Sequence, residues 1–174
     1  MMKFVLAILL TLSALPALAG GPFPAIADEA VARECGECHM LYYPQMLPQK
    51  SWKIIMDGLA DHFGENAALE QDVLKKVTDY HVANAADVDD NRLAKKFMEG
   101  VDLSNPPLKV TTTPRFIKKH SGIPDQVFTQ KEVGSKARCG ACHLNAKDGR
   151  IDDDDAVIPG YINLFGVTSI KKFW

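Results

Sequence analysis

The sequence predicts a mainly α-helical chain that ends in an irregular, loop-rich region. Three observations lead there. Apolar residues recur at helical spacing in the first two thirds of the chain, with helix-starting and helix-stopping residues between them. No segment alternates apolar and polar residues as a half-buried strand would. From Asp148 to Trp174 the chain is rich in turn formers and shows no period at all.

The 174-residue chain opens MMKFVLAILLTLSALPALAGG. Lys3 supplies a short positive start, an apolar run follows to Leu15, and Ala17-Leu18-Ala19 offers small residues before Gly20. That is the pattern of a secretory signal peptide over residues 1–19, cleaved after Ala19. An uncleaved anchor is the alternative, but the run is short for a span of about 20 residues. The expected location is the periplasm of a bacterium, with no membrane span after processing. A formal charge of −2 argues against a general nucleic-acid binder.

A first helix is predicted over residues 25–40, with Asp28 and Glu29 suited to its first turn by their charge. Tyr42, Tyr43, Pro44 and Pro48 break it. A second helix is predicted over 52–63 with Ser51 as its N-cap. Trp52, Ile55, Met56, Leu59, His62 and Phe63 form its apolar stripe, and Gly64 is its stop. A third runs over 67–83. Residues 85–91 are small and acidic, 92–98 form a further turn or two of helix, and Pro106-Pro107 cannot continue it. A boundary near Gly100 divides the mature chain into 20–100 and 101–174. A short helix over 114–120 follows, with proline in its favoured early position.

All four cysteines lie in two pentapeptides, CGECH at 35–39 and CGACH at 139–143. In an oxidising compartment cysteines usually pair for stability, so this usage calls for another explanation. Cys-x-x-Cys-His places two thiols where they meet the two vinyl groups along one haem edge, and brings the next histidine under the iron. Cys35 and Cys38, then Cys139 and Cys142, would each hold one covalent c-type haem, with His39 and His143 as iron ligands. A four-cysteine zinc site leaves both histidines unexplained. A redox dithiol wants a βαβ setting that the sequence lacks.

The second axial ligand of each iron decides the chemistry. His62, on the predicted apolar face, is either a ligand or an ordinary core histidine. His120 is either a ligand or a surface residue beside Lys118 and Lys119. His81, near a helix end, and Met98, well downstream of the first pentapeptide, compete with them. Tyr42 and Tyr43 either lie between the two haems or pack over a haem edge.

The stretches CGECHMLYYPQMLPQKSW, IMDGLADHFG, TTPRFIKKH and VGSKARCGACH resemble the dihaem cytochrome c family, which partners an oxygen-binding monohaem cytochrome in bacteria. The resemblance implies an N-terminal domain like a class I cytochrome c and an irregular C-terminal haem domain. It implies bis-histidine ligation, His39 with His62 and His143 with His120. It also implies redox partner proteins: that oxygen-binding cytochrome as acceptor and a membrane cytochrome as donor. With both axial positions filled the expectation is a one-electron carrier and not an enzyme. The alternative is a small dihaem enzyme or a redox or gas sensor with one open or releasable position.

Overall fold

The computed structural model describes residues 22–154 and 156–161. The predicted signal peptide and most of the segment Tyr161 to Trp174 lie outside these. Among the described residues there are six α-helices and five 3₁₀ turns, and the only β-pairing is two isolated bridges. The mainly α expectation is borne out. Among the described residues the same holds for the C-terminal part as far as Tyr161, since after α6 regular structure is limited to 3₁₀ turns.

Helix α1 spans Glu29–Gly36, shorter than predicted at both ends. Asp28 sits before it as the N-cap, its Oδ1 accepting from Ala30 N at 2.9 Å and Val31 N at 3.2 Å. Gly36 ends it, because glycine in a helix costs about 1 kcal/mol against alanine. Cys38 and His39 therefore lie in a bend, outside the helix.

The chain then passes through a buried 3₁₀ turn at Pro44–Met46 into α2, Gln49–Asp57. Here two expectations fail. Pro48 is the N-cap, and Ser51 lies inside the helix, fully buried, donating from Oγ to Pro107 O at 2.7 Å. The helix also stops six residues before Phe63's expected end, at the Gly58 C-cap, whose N–H bonds Ile55 O at 3.1 Å. A 3₁₀ turn, Leu59–Asp61, follows, so His62 stands on a turn and not on a helical stripe. Sequence periodicity missed this because the apolar spacing runs on through a glycine that the backbone uses as a stop.

Helix α3, Gln71–Ala83, packs against both α1 and α2. Helices α4, Arg92–Met98, and α5, Pro114–His120, fall where predicted and pack on each other across Gly100. Asn91 caps α4 through Leu93 N at 2.7 Å. Thr113 caps α5 through Phe116 N at 3.2 Å, and its own hydroxyl donates to Val110 O at 2.7 Å. A one-turn helix, α6 at Asp125–Thr129, was not expected; five residues are too few to show a period.

One core joins α1, α2, α3 and α4: Val31, Trp52, Ile55, Val77, Leu93 and Phe97 meet there with Tyr43, Leu47 and Val110. The irregular C-terminal part is sewn to it from the other end of the chain. Phe23 N donates to Gly149 O at 3.0 Å, Tyr43 OH to Lys147 O at 2.7 Å, and Tyr42 OH to Ala137 O at 2.8 Å. Gly149 has φ +77°, and a Cβ on it would stand 2.5 Å from Phe23 O, so only glycine allows this approach.

His81, proposed above as a competing ligand, is buried in this core. Its ring lies 4.5 Å from that of Trp52, and its Nδ1 is 2.8 Å from Val77 O. Burial lowers its pKa from 6.5, against the opposing pull of the Val77 carbonyl. The folded protein thus holds it neutral while the unfolded chain protonates near 6.5. Stability from this residue is complete above that pH and declines as pH falls below it, because the unfolded state then binds the extra proton. In urea unfolding between pH 5 and pH 8, His81→Phe should show a shallower loss of stability toward acid than the parent. Equal slopes would mean that His81 does not stay neutral in the folded state.

Candidate haem sites

Each pentapeptide is met by one distant histidine. His39 and His62 have ring centroids 6.2 Å apart with the planes inclined at 34°. His143 and His120 are also 6.2 Å apart, inclined at 73°. Two imidazoles that share one metal at about 2.0–2.1 Å per nitrogen place their ring centres about 6 Å apart, so both pairs fit an ion between them. The structure brings together the two pairs that the sequence suggested. It places His81 in the core against Trp52 and Met98 partly buried against the same core.

Three of the four imidazoles are oriented by a backbone carbonyl. His39 Nδ1 is 2.7 Å from Met40 O, His120 Nδ1 2.8 Å from Phe116 O, and His143 Nδ1 3.2 Å from Asp152 O. Such a bond fixes the tautomer with Nδ1 protonated and leaves Nε2 free for a metal. The acceptors are main-chain atoms, so no side-chain signal in the sequence announces them. The His120–Phe116 pair alone has a legible basis, its four-residue helical spacing.

The two sites differ in their walls. His120 leaves the last turn of α5, its ring stacked on Phe116 at 4.0 Å and 6.2 Å from Phe128. His143 follows the 3₁₀ turn Cys139–Ala141, where its N–H bonds Cys139 O at 2.8 Å. That single closed turn sets both cysteines and the histidine on one side. Between them lies an apolar cavity walled by Phe116, Val127, Phe128 and Ile158, with both Cys139 and Cys142 facing it. Arg115, Lys119, Lys136 and Arg138 stand on its lining. An apolar slot with thiols at one edge and cations along its lining suits a haem and its two carboxylates. His62 instead occupies a surface turn, half-buried beside exposed Phe63.

The electrostatics agree with neutral ligands. Burial lowers the pKa of His62, with His39 adding to it, and burial is also the main cause lowering His120 and His143. Each is held as the neutral imidazole that a metal requires. The thiols move the other way. Burial, with Glu34, pushes Cys35 up to about 11, and burial raises Cys139 and Cys142. A redox dithiol needs a lowered thiol pKa, so these cysteines are poorly suited to exchange chemistry. Among the described residues no group of three or more His, Cys, Asp or Glu is placed to hold a metal ion, which removes the four-cysteine zinc site.

Tyr42 and Tyr43 take separate places. Tyr43 is buried, stacked on Phe23 at 5.2 Å. Tyr42 lies between the pentapeptides. Its ring is 5.1 Å from that of His39, and its hydroxyl donates to Ala137 O, the same carbonyl that Cys139 Sγ approaches at 3.7 Å.

Two Cys-x-x-Cys-His turns, each facing a further imidazole within a mainly helical chain, define a c-type cytochrome with two haems. The chain belongs to the dihaem cytochrome c family, whose model matches residues 31–151. It carries two covalently bound c-type haems. Among solved structures it is similar to a dihaem cytochrome c from Rhodobacter sphaeroides, 32% identical with a TM-score of 0.65, covering 72% of this chain and 97% of that one. It is likewise similar to the dihaem cytochrome c of Shewanella baltica OS155, 33% identical with a TM-score of 0.62, covering 76% and 94%. Among curated proteins, none matches.

Proposed function

We propose that this protein is a periplasmic electron carrier in which both haems are six-coordinate with two histidines each: His39 and His62 at the first, His143 and His120 at the second. The observation that carries this reading is the equal 6.2 Å separation of the two imidazole pairs. When bound, the haems supply one-electron cycling between ferric and ferrous iron. The chain's own residues do the rest. Four imidazoles, those of His39, His62, His120 and His143, would hold the two irons and leave water and peroxide no open place to react in the resting protein. Three carbonyl acceptors hold rings in orientation, which limits rearrangement when the charge changes. Two histidines, in place of a histidine and a methionine, favour a comparatively low potential.

Tyr42 supports fast transfer between the haems, because it packs on a ligand of the first and hydrogen-bonds the carbonyl that neighbours a cysteine of the second. The division into an N-terminal haem domain, 20–100, and a C-terminal one, 101–174, is part of this reading. So is export through the signal peptide at 1–19. No helix of the described residues is long and apolar enough to cross a membrane. The proposed partners are redox proteins: a membrane cytochrome as donor and an oxygen-binding monohaem cytochrome as acceptor.

Near-infrared magnetic circular dichroism and EPR of the ferric protein test the ligation. Two low-spin bis-histidine signatures are expected. A high-spin ferric signal, or a methionine charge-transfer band near the red end of the spectrum, would overturn the assignment.

A further inference from the structure

The four proposed ligands are not held alike. His39, His120 and His143 each bond a backbone carbonyl through Nδ1. His62 Nδ1 has no such acceptor among the described residues. His120 comes from a helix whose cap, Thr113, is fully buried, and its ring is stacked on Phe116. His62 comes from a surface turn in which Asp61, Phe63, Gly64 and Glu65 are all exposed. Its ring neighbours are His39 across the site and Phe63, itself 52% exposed.

The turn is also under strain. Phe63 has φ +57°, a left-handed conformation that a bulky side chain rarely adopts, and Gly64 follows at φ +100°. Three hydrogen bonds close it: His62 N to Glu65 O at 2.7 Å, Glu65 N to His62 O at 3.2 Å, and Gly64 N to Asp61 Oδ1 at 3.0 Å. Ala67 N to Leu59 O at 2.9 Å ties the base of the loop. The turn is thus tied at its base and strained at its tip, and it carries a ring whose Nδ1 meets no carbonyl among the described residues.

We propose that His62 is a releasable ligand, and that its departure makes the first haem a binding site for a small neutral diatomic molecule, while the second haem stays closed. The proposal rests on the bis-histidine reading above. The step is a ligand substitution. His62 would release the iron through Nε2 and leave as the neutral imidazole, and the diatomic would donate its lone pair in its place. No electron or proton changes hands.

Carbon monoxide added to the fully reduced holoprotein is the probe. One equivalent per two haems is expected, with a rate that levels off at high carbon monoxide because release of His62 limits it. Gly64→Ala should raise that plateau about 5-fold, the equivalent of about 1 kcal/mol. Its Cβ meets nothing within 4 Å, so the change acts only through the φ +100° backbone. His62→Ala should abolish the plateau and make the rate linear in carbon monoxide. Two equivalents bound, none bound, or a plateau that Gly64→Ala leaves unmoved would each overturn the proposal. A high-spin signal in the resting ferric protein would instead overturn the ligation on which it stands, so the two failures read differently.

Discussion

His120→Ala should convert one of the two haems from low to high spin and leave the other untouched. About half of the low-spin EPR intensity should vanish, a high-spin ferric signal should appear, and the Soret band should shift for one haem only. The expectation follows from how this ring is held. Its Nδ1 is 2.8 Å from Phe116 O, its face is stacked on Phe116 at 17°, and its centroid is 6.2 Å from that of His143. Among the described residues no other histidine approaches His143; His81 lies in the core against Trp52. Both cysteines of the second pentapeptide remain, so the haem should stay covalently attached and survive denaturing electrophoresis. Two haems still low-spin in this variant would remove His120 from the site. Imidazole added to the variant should restore the low-spin spectrum, which a merely misfolded protein would not do.

Trp52→Ala should be the most damaging single change to stability, at about 3–5 kcal/mol for removing a buried tryptophan. Trp52 is 6% exposed, its ring lies 4.5 Å from His81, and its Nε1 donates to Pro44 O at 2.8 Å. Truncation removes the packing and leaves a carbonyl inside the core without its donor, which adds to the loss. Trp52→Phe keeps most of the packing and should cost about 1–3 kcal/mol, chiefly through that carbonyl. The measurement is the urea midpoint followed by far-ultraviolet circular dichroism on the holoprotein. A Trp52→Ala midpoint no lower than that of Lys53→Ala, an exposed neighbour on the same helix, would mean that this contact does not organise the core.

The two predictions read different layers of the molecule. Haem attachment was legible in the sequence because it is local: two thiols and an imidazole within five residues of one turn need no help from the rest of the chain. Helix α5 was legible for a related reason, having proline in its favoured early position at Pro114. The end of α2 was not. The apolar stripe from Trp52 to Phe63 continues past Gly58 as if the helix did, and only the C-cap bond to Ile55 O shows that it has stopped. Ser51 was misread in the same way. It has the chemistry of a cap, but its hydroxyl is taken by Pro107 O, fifty-six residues away in sequence.

What the amino-acid sequence determined alone was the class of protein, the two Cys-x-x-Cys-His pentapeptides, and a mainly helical chain. These depend on composition and short spacing. Only the tertiary structure decided which distant histidine faces which pentapeptide, that His81 lies in the core, and that Tyr42 rather than Tyr43 lies between the pentapeptides. It also decided that His39, His120 and His143 each meet a backbone carbonyl through Nδ1, a contact that His62 does not make among the described residues. The physical reason is that ring-to-ring approach and the acceptance of an Nδ1 proton by a backbone carbonyl depend on where distant segments come to rest. No local pattern of residues encodes that.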